Sequence, residues 1–153
     1  MADSVPHGFD LLFRSSPYLD LIGPIYSRTD EQVGLVLGLR IDRKHVNARG
    51  TAHGGVLMTL ADVALGYATA FSTQPPAKLL TTTLTTDFAG AARVGDWLES
   101  RVEIQQLGSR LAFANCYLLV GGRRIVRASA VFVRDDGGLE KTTSRELDSK
   151  PNV

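Results

Sequence analysis

The chain has 153 residues, 44% of them hydrophobic and 22% charged, and a formal net charge of +1. That length suits one domain with a real core, and so small a charge gives no electrostatic basis for nucleic acid or an anionic membrane surface as the main partner. The single cysteine, Cys116, excludes an intrachain disulfide, and no Cys/His cluster suggests zinc or another metal.

In chain order, Met1–Pro6 has neither the basic start nor the apolar run of a signal peptide, so a cytoplasmic setting is expected. Residues 6–15 read as a short amphipathic helix or turn, with Phe9, Leu12 and Phe13 on one side. Strands are expected over Ile22–Ser27, weakened by Pro24, and over Val33–Ile41. In the second, Val33, Leu35, Leu37, Leu39 and Ile41 share one face. A polar loop over 42–52 leads into a long helix from about Gly54 to Phe71, stopped by Ser72-Thr73-Gln74-Pro75-Pro76.

That helix is apolar on more than one side and is expected to be enclosed nearly all round. Its most apolar part, Val56 to Phe71, is short for a membrane span and is interrupted by Asp62 and Gly66. After the prolines the pattern turns to strands: threonine-rich Leu79 to Phe88, then Trp97 to Leu107, Arg110 to Val120 and Arg123 to Arg134. Gly108-Ser109 and Gly121-Gly122 mark hairpin turns. Residues 1–134 are thus expected to form one domain, with 135–153 as a flexible tail. A lone helix with this much apolar surface must lie in the concave side of the sheet, and a second subunit is expected to cover the remainder.

Asp62 is the only formally charged residue between Gly50 and Ala77. An acid in such surroundings costs free energy unless it is paired, protonated or used. It is a candidate catalytic group or, equally on local pattern, a structural acid held by threonine hydroxyls or strand amides. His53-Gly54-Gly55 stands at the helix start, where the first N–H groups lack intrahelical acceptors and glycine admits a ligand carbonyl or anion. The same glycines could simply make a tight entry turn, and Asn47 alone is an ordinary turn residue. The block Thr81-Thr82-Thr83-Leu84-Thr85-Thr86 offers hydroxyls on both faces of a strand, any one of which could orient water beside a carboxylate. Cys116, amid Ala and Phe, reads as core packing.

The stretch from Asn47 to Arg134 resembles the hotdog-fold acyl-CoA thioesterases, in particular the phenylacetate-pathway thioesterases and thioesterase superfamily member 2. Asn47, Gly50-Thr51-Ala52-His53-Gly54-Gly55, Asp62 at its spacing from the histidine, the strand Leu79–Phe88, Gly95-Asp96 and Gly108-Ser109-Arg110 carry the resemblance. It implies an α+β fold in which a curved antiparallel sheet wraps one long central helix. Two subunits would pair into a continuous sheet, as a homodimer or homotetramer, with active sites at the subunit interface.

Carried over residue by residue, the resemblance makes Asp62 the general base or nucleophile and has the Gly54 N–H polarise the thioester carbonyl. His53 and Asn47 take supporting positions, and Thr81 stands where the family often has a water-positioning serine. Gly55, Ser109 and Arg110 fall at substrate-binding positions, with Lys78, Arg93 and Arg124 as further basic candidates. Asp62 and Thr81 would come from one subunit; Asn47, His53 and Gly54 would come from the other. The substrate implied is an acyl-CoA, with no cofactor. A non-catalytic acyl-ligand binder and a hotdog hydratase or dehydratase are the competing readings. Small residues (Ala61, Ala64, Ala68, Ala89, Ala91) leave room for either an aryl ring or an acyl chain.

Overall fold

The computed structural model describes residues 4–135; of the tail expected over 135–153, only Asp135 is among them, and it is buried. Seven strands form one antiparallel sheet: β1 (Asp10–Leu11), β2 (Ile25–Asp30), β3 (Gly34–Arg40), β4 (Leu79–Phe88), β5 (Trp97–Leu107), β6 (Leu111–Val120) and β7 (Arg123–Arg134). Their spatial order is β1-β2-β3-β5-β6-β7-β4. The helices are α1 (Pro17–Ile22) and α2 (Gly54–Ala70), and α2 packs against β3, β4, β5, β6 and β7. This is the α+β architecture of one long helix held by an antiparallel sheet.

The helix can approach the sheet closely because the facing strands carry small side chains. Ala112, Ala114 and Cys116 of β6 and Ala128 and Ala130 of β7 are all buried, with Leu118 and Phe132 completing that surface. Against them α2 turns Val56, Leu57, Leu60, Ala61, Ala64 and Leu65. Gly121 and Gly122 both have positive φ, 55° and 81°, as the tight β6–β7 hairpin requires.

The amino-terminal segment departs from expectation. Residues 6–15 hold no helix: β1 adds to β2 there, and the helix lies further on, at Pro17–Ile22. Ser16 caps it by accepting the Leu19 N–H at 3.3 Å, and Pro17 stands where a missing N–H costs nothing. β2 begins after Pro24 rather than running through it. On β3, Gly38 is required by close packing, since a Cβ there would lie 2.2 Å from the Trp97 ring. Phe9 packs edge-on against the same indole, and Arg40 stacks over it at 5.0 Å.

Within one chain the sheet covers a single face of α2. Gly55 and Met58 are exposed, and Thr59, Asp62 and Gly66 are half-buried on the opposite flank. The expectation of a helix enclosed nearly all round therefore rests on the second subunit expected to cover what the sheet leaves open. No helix among the described residues is long and apolar enough to cross a membrane.

Candidate active site

Asp62 lies on the open flank of α2, one turn before Gly66, and lines a cleft of about 660 Å³ between the helix, the start of β4 and residues 14–16. Thr81 of β4 lines the same cleft, and its hydroxyl donates to Asp62 Oδ1 at 2.9 Å. The local register explains why this threonine, among five in the block, meets the acid. β4 pairs with β7 through Thr81↔Phe132 and then Thr83↔Val131, so a bulge at Thr82 breaks the alternation. Thr81 therefore shares the helix-facing side with buried Phe132, while the Thr82 hydroxyl turns away to the Val131 carbonyl at 3.0 Å.

The second group of expected residues gathers at the start of α2. His53 is the N-cap, and its Nδ1 accepts the Gly55 N–H at 2.9 Å, so that amide is already satisfied. Among the described residues the Gly54 N–H has no acceptor, as befits a first-turn amide at the positive end of the helix dipole. A Cβ at Gly54 would sit 3.2 Å from the ring of Phe88, the last residue of β4, so a larger residue here requires that exposed ring to give by a few tenths of an ångström.

Three backbone bonds hold this terminus in place: Ala52 N–H to Ala92 O at 2.8 Å, His53 N–H to His45 O at 2.7 Å, and Asn47 N–H to Thr51 O at 2.8 Å. His45 is buried, its ring accepting from the Asp42 N–H and donating to the Ile22 carbonyl, which makes it a structural anchor. Asn47 spends its side chain inside the loop. Its Oδ1 accepts the Arg49 N–H at 2.9 Å, and its Nδ2 donates to the Thr51 hydroxyl at 3.2 Å.

Within one chain these two groups stay apart. Eight residues of helix separate Gly54 from Asp62, about 12 Å along the axis, so one carbonyl cannot touch both. Ser109 and Arg110 are exposed at the β5–β6 turn and do not line the Asp62 cleft. Lys78 does line it, together with Arg14 and buried Asp135, neither of which the sequence pattern singled out. No local signal distinguishes Asp135 or Phe88, whose places come from strand pairing. Of the small residues expected to shape a pocket, Ala61 and Ala64 are core residues against the sheet, and Ala89 and Ala91 are exposed in the loop after β4.

An antiparallel sheet that holds one long central helix is the hotdog architecture of thioester hydrolases. The thioesterase superfamily profile matches residues 49–126, and the chain belongs to that superfamily. PA0474 of Pseudomonas aeruginosa, a protein with a provisional esterase name, is 57% identical over 129 residues, which cover 84% of this chain and 96% of that one. Zebrafish thioesterase superfamily member 2 has the same fold, with TM-score 0.67 at 21% identity over 72% of this chain and 81% of that one. So does Escherichia coli PaaI, from the phenylacetic acid degradation operon, with TM-score 0.63 at 20% identity over 67% and 73% of the two chains.

Proposed function

We propose that this protein hydrolyses acyl-CoA thioesters, with Asp62 as general base or nucleophile and the Gly54 N–H polarising the carbonyl. The observation that carries the reading is the Thr81–Asp62 hydrogen bond at 2.9 Å inside a cleft large enough for an acyl group. A thioester is already activated, so a positioned water and a carbonyl polariser suffice. One such donor is worth about 3 to 4 kcal/mol and general-base help roughly two to four orders of magnitude in rate.

In this reading a second copy bridges the separation of about 12 Å. Among the described residues β4 is the long free edge of the sheet, with β7 on one side only, and it runs from Thr81, beside Asp62, to Phe88, beside Gly54. Antiparallel pairing of two β4 edges about a dyad at Thr85 sets Leu84 of one copy opposite Thr86 of the other, both helix-facing, and across the bulge at Thr82 brings Thr81 of one copy beside Phe88 of the other. Asp62 of one copy then stands near the Gly54 amide of the other, and the open flank of α2 is covered. His53 and Asn47 hold that amide and its loop in place. The same pairing gives a dimer, from which a tetramer can be built.

The test is thiol release from a panel of aryl- and fatty-acyl-CoA esters, with wild type beside Asp62→Asn. Turnover that falls about a hundredfold or more in the folded variant supports the assignment. Retained binding without turnover by wild type would make the protein an acyl-CoA carrier and Asp62 structural.

A further inference from the structure

Beneath the carboxyl end of α2 lies a second cavity, of about 480 Å³ and strongly apolar, walled by Phe13, Leu35, Ala68, Phe71, Val102 and Ile104. Phe71 borders both this cavity and the Asp62 cleft. Between the two stand three rings in mutual contact: Phe13 and Phe71 at 5.0 Å, Phe13 and Tyr67 at 5.8 Å, Tyr67 and Phe71 at 6.2 Å between centroids. At 3.6 residues per turn, Tyr67 and Phe71 point between the flank carrying Asp62, Gly66 and Ala70 and the flank carrying Ala68. The rings therefore form the partition between cleft and cavity. It is a loose partition, since Phe13 is 55% exposed and Phe71 40% exposed, and neither is clamped by surrounding core.

Resting on the acyl-CoA reading above, we propose that the second cavity receives the distal end of a long acyl chain, making medium- to long-chain esters the preferred substrates. Tyr67 lies five residues beyond Asp62 and Phe71 nine, about 7.5 and 13.5 Å along the helix. An extended chain advances roughly 1.2 Å per bond, judging from the 3.3–3.6 Å span of a three-bond peptide unit. From a carbonyl at Asp62, about six bonds reach the rings and about eleven pass Phe71 into the cavity. A short chain or single aryl ring ends in the cleft; a longer chain displaces the rings and gains apolar burial, roughly three- to fourfold in affinity per methylene.

Initial rates with hexanoyl-, decanoyl-, tetradecanoyl- and phenylacetyl-CoA test this, for wild type and two cavity-filling variants. Ala68→Met fills from the helix. Ile104→Phe fills from a strand position 40% exposed, where a larger side chain is tolerated even if the helix variant misfolds. The expected result is a wild-type kcat/KM that rises from hexanoyl to tetradecanoyl ester, with the variants losing at least tenfold more on the long ester than on the short. Wild-type turnover confined to short or aryl esters overturns the proposal while leaving the hydrolase reading intact; so do variants that lower every ester equally. Variants that alter oligomeric state by light scattering while leaving the chain-length profile unmoved assign the cavity to a protein contact and also overturn it. Turnover of no ester at all removes the hydrolase reading itself.

Discussion

Thr81 of β4 donates a hydrogen bond of 2.9 Å to the carboxylate of Asp62, across the gap between the free edge of the sheet and the open flank of α2. The bond occupies one carboxylate oxygen of an acid that itself lines the cleft. If Thr81 fixes the acid or a water beside it, the hydroxyl matters and the methyl does not. Thr81→Val is expected to lower kcat roughly ten- to hundredfold with KM little changed, and Thr81→Ser to restore most of it. Activity kept in Thr81→Val but lost in Thr81→Ser would show that the methyl, through packing, was the active part. Thr81 is exposed in the single chain, so thermal stability should move little in either case.

A stability prediction follows from β3. Gly38 faces Trp97 Cζ2 at 2.2 Å and Phe9 at 2.9 Å from an ideal Cβ, and neither ring is free to leave. Phe9 is buried, and the indole is held between it and Arg40. Gly38→Ala should cost about 1 to 3 kcal/mol by denaturant titration, by forcing the rings off their rotamers. Gly34→Ala offers no comparable clash, so its cost should come from its positive φ of 76° alone.

Much of this architecture is legible in the chain, and the failures have physical causes. β3, α2 and the four later strands stand out because each keeps one hydrophobic period between strong turn signals. The amino-terminal region carries no such period. Its helix is declared by Ser16-Pro17, a cap and a first-turn proline, rather than by the apolar spacing of Phe9, Leu12 and Phe13. Asp62 is conspicuous as a lone charge, but which threonine reaches it depends on the bulge at Thr82, a property of strand pairing. The half-open state of α2 is likewise beyond periodicity, because an apolar flank looks the same whether its own sheet or another chain covers it.

Cys116 supplies a test of the core. Burial beneath α2 pushes its thiol up to about 12, well above the ordinary range. It should therefore resist thiol reagents in the native protein at neutral pH and react at once on unfolding. The sign of the linkage is also set. With the folded value raised, its stabilising contribution is complete below the unfolded thiol's range and is lost progressively as pH rises from about 9 toward 12. A Cys116→Ala variant should show a shallower decline of stability in that window; a decline of equal slope would mean that other groups govern it.

The Gly54 amide can be removed almost surgically. Proline is tolerated at the first position of a helix, and His53, with φ −63° and ψ 137°, already has the extended backbone that a following proline demands. Any Cβ at residue 54 crowds Phe88 at 3.2 Å, so Gly54→Ala is the control that adds the carbon and keeps the N–H. If the amide polarises the thioester carbonyl, Gly54→Pro should lose about two to three orders of magnitude in kcat beyond Gly54→Ala. Equal activity of the two would mean that the polariser lies elsewhere. The pair also tests the two-copy site. In a mixture of Gly54→Pro and Asp62→Asn subunits, each mixed dimer holds one site lacking both groups and one site lacking neither. Refolding the two inactive variants together should then restore up to about one quarter of wild-type activity, because half the dimers are mixed and each has one good site. A site built within a single chain would show no such recovery at any mixing ratio.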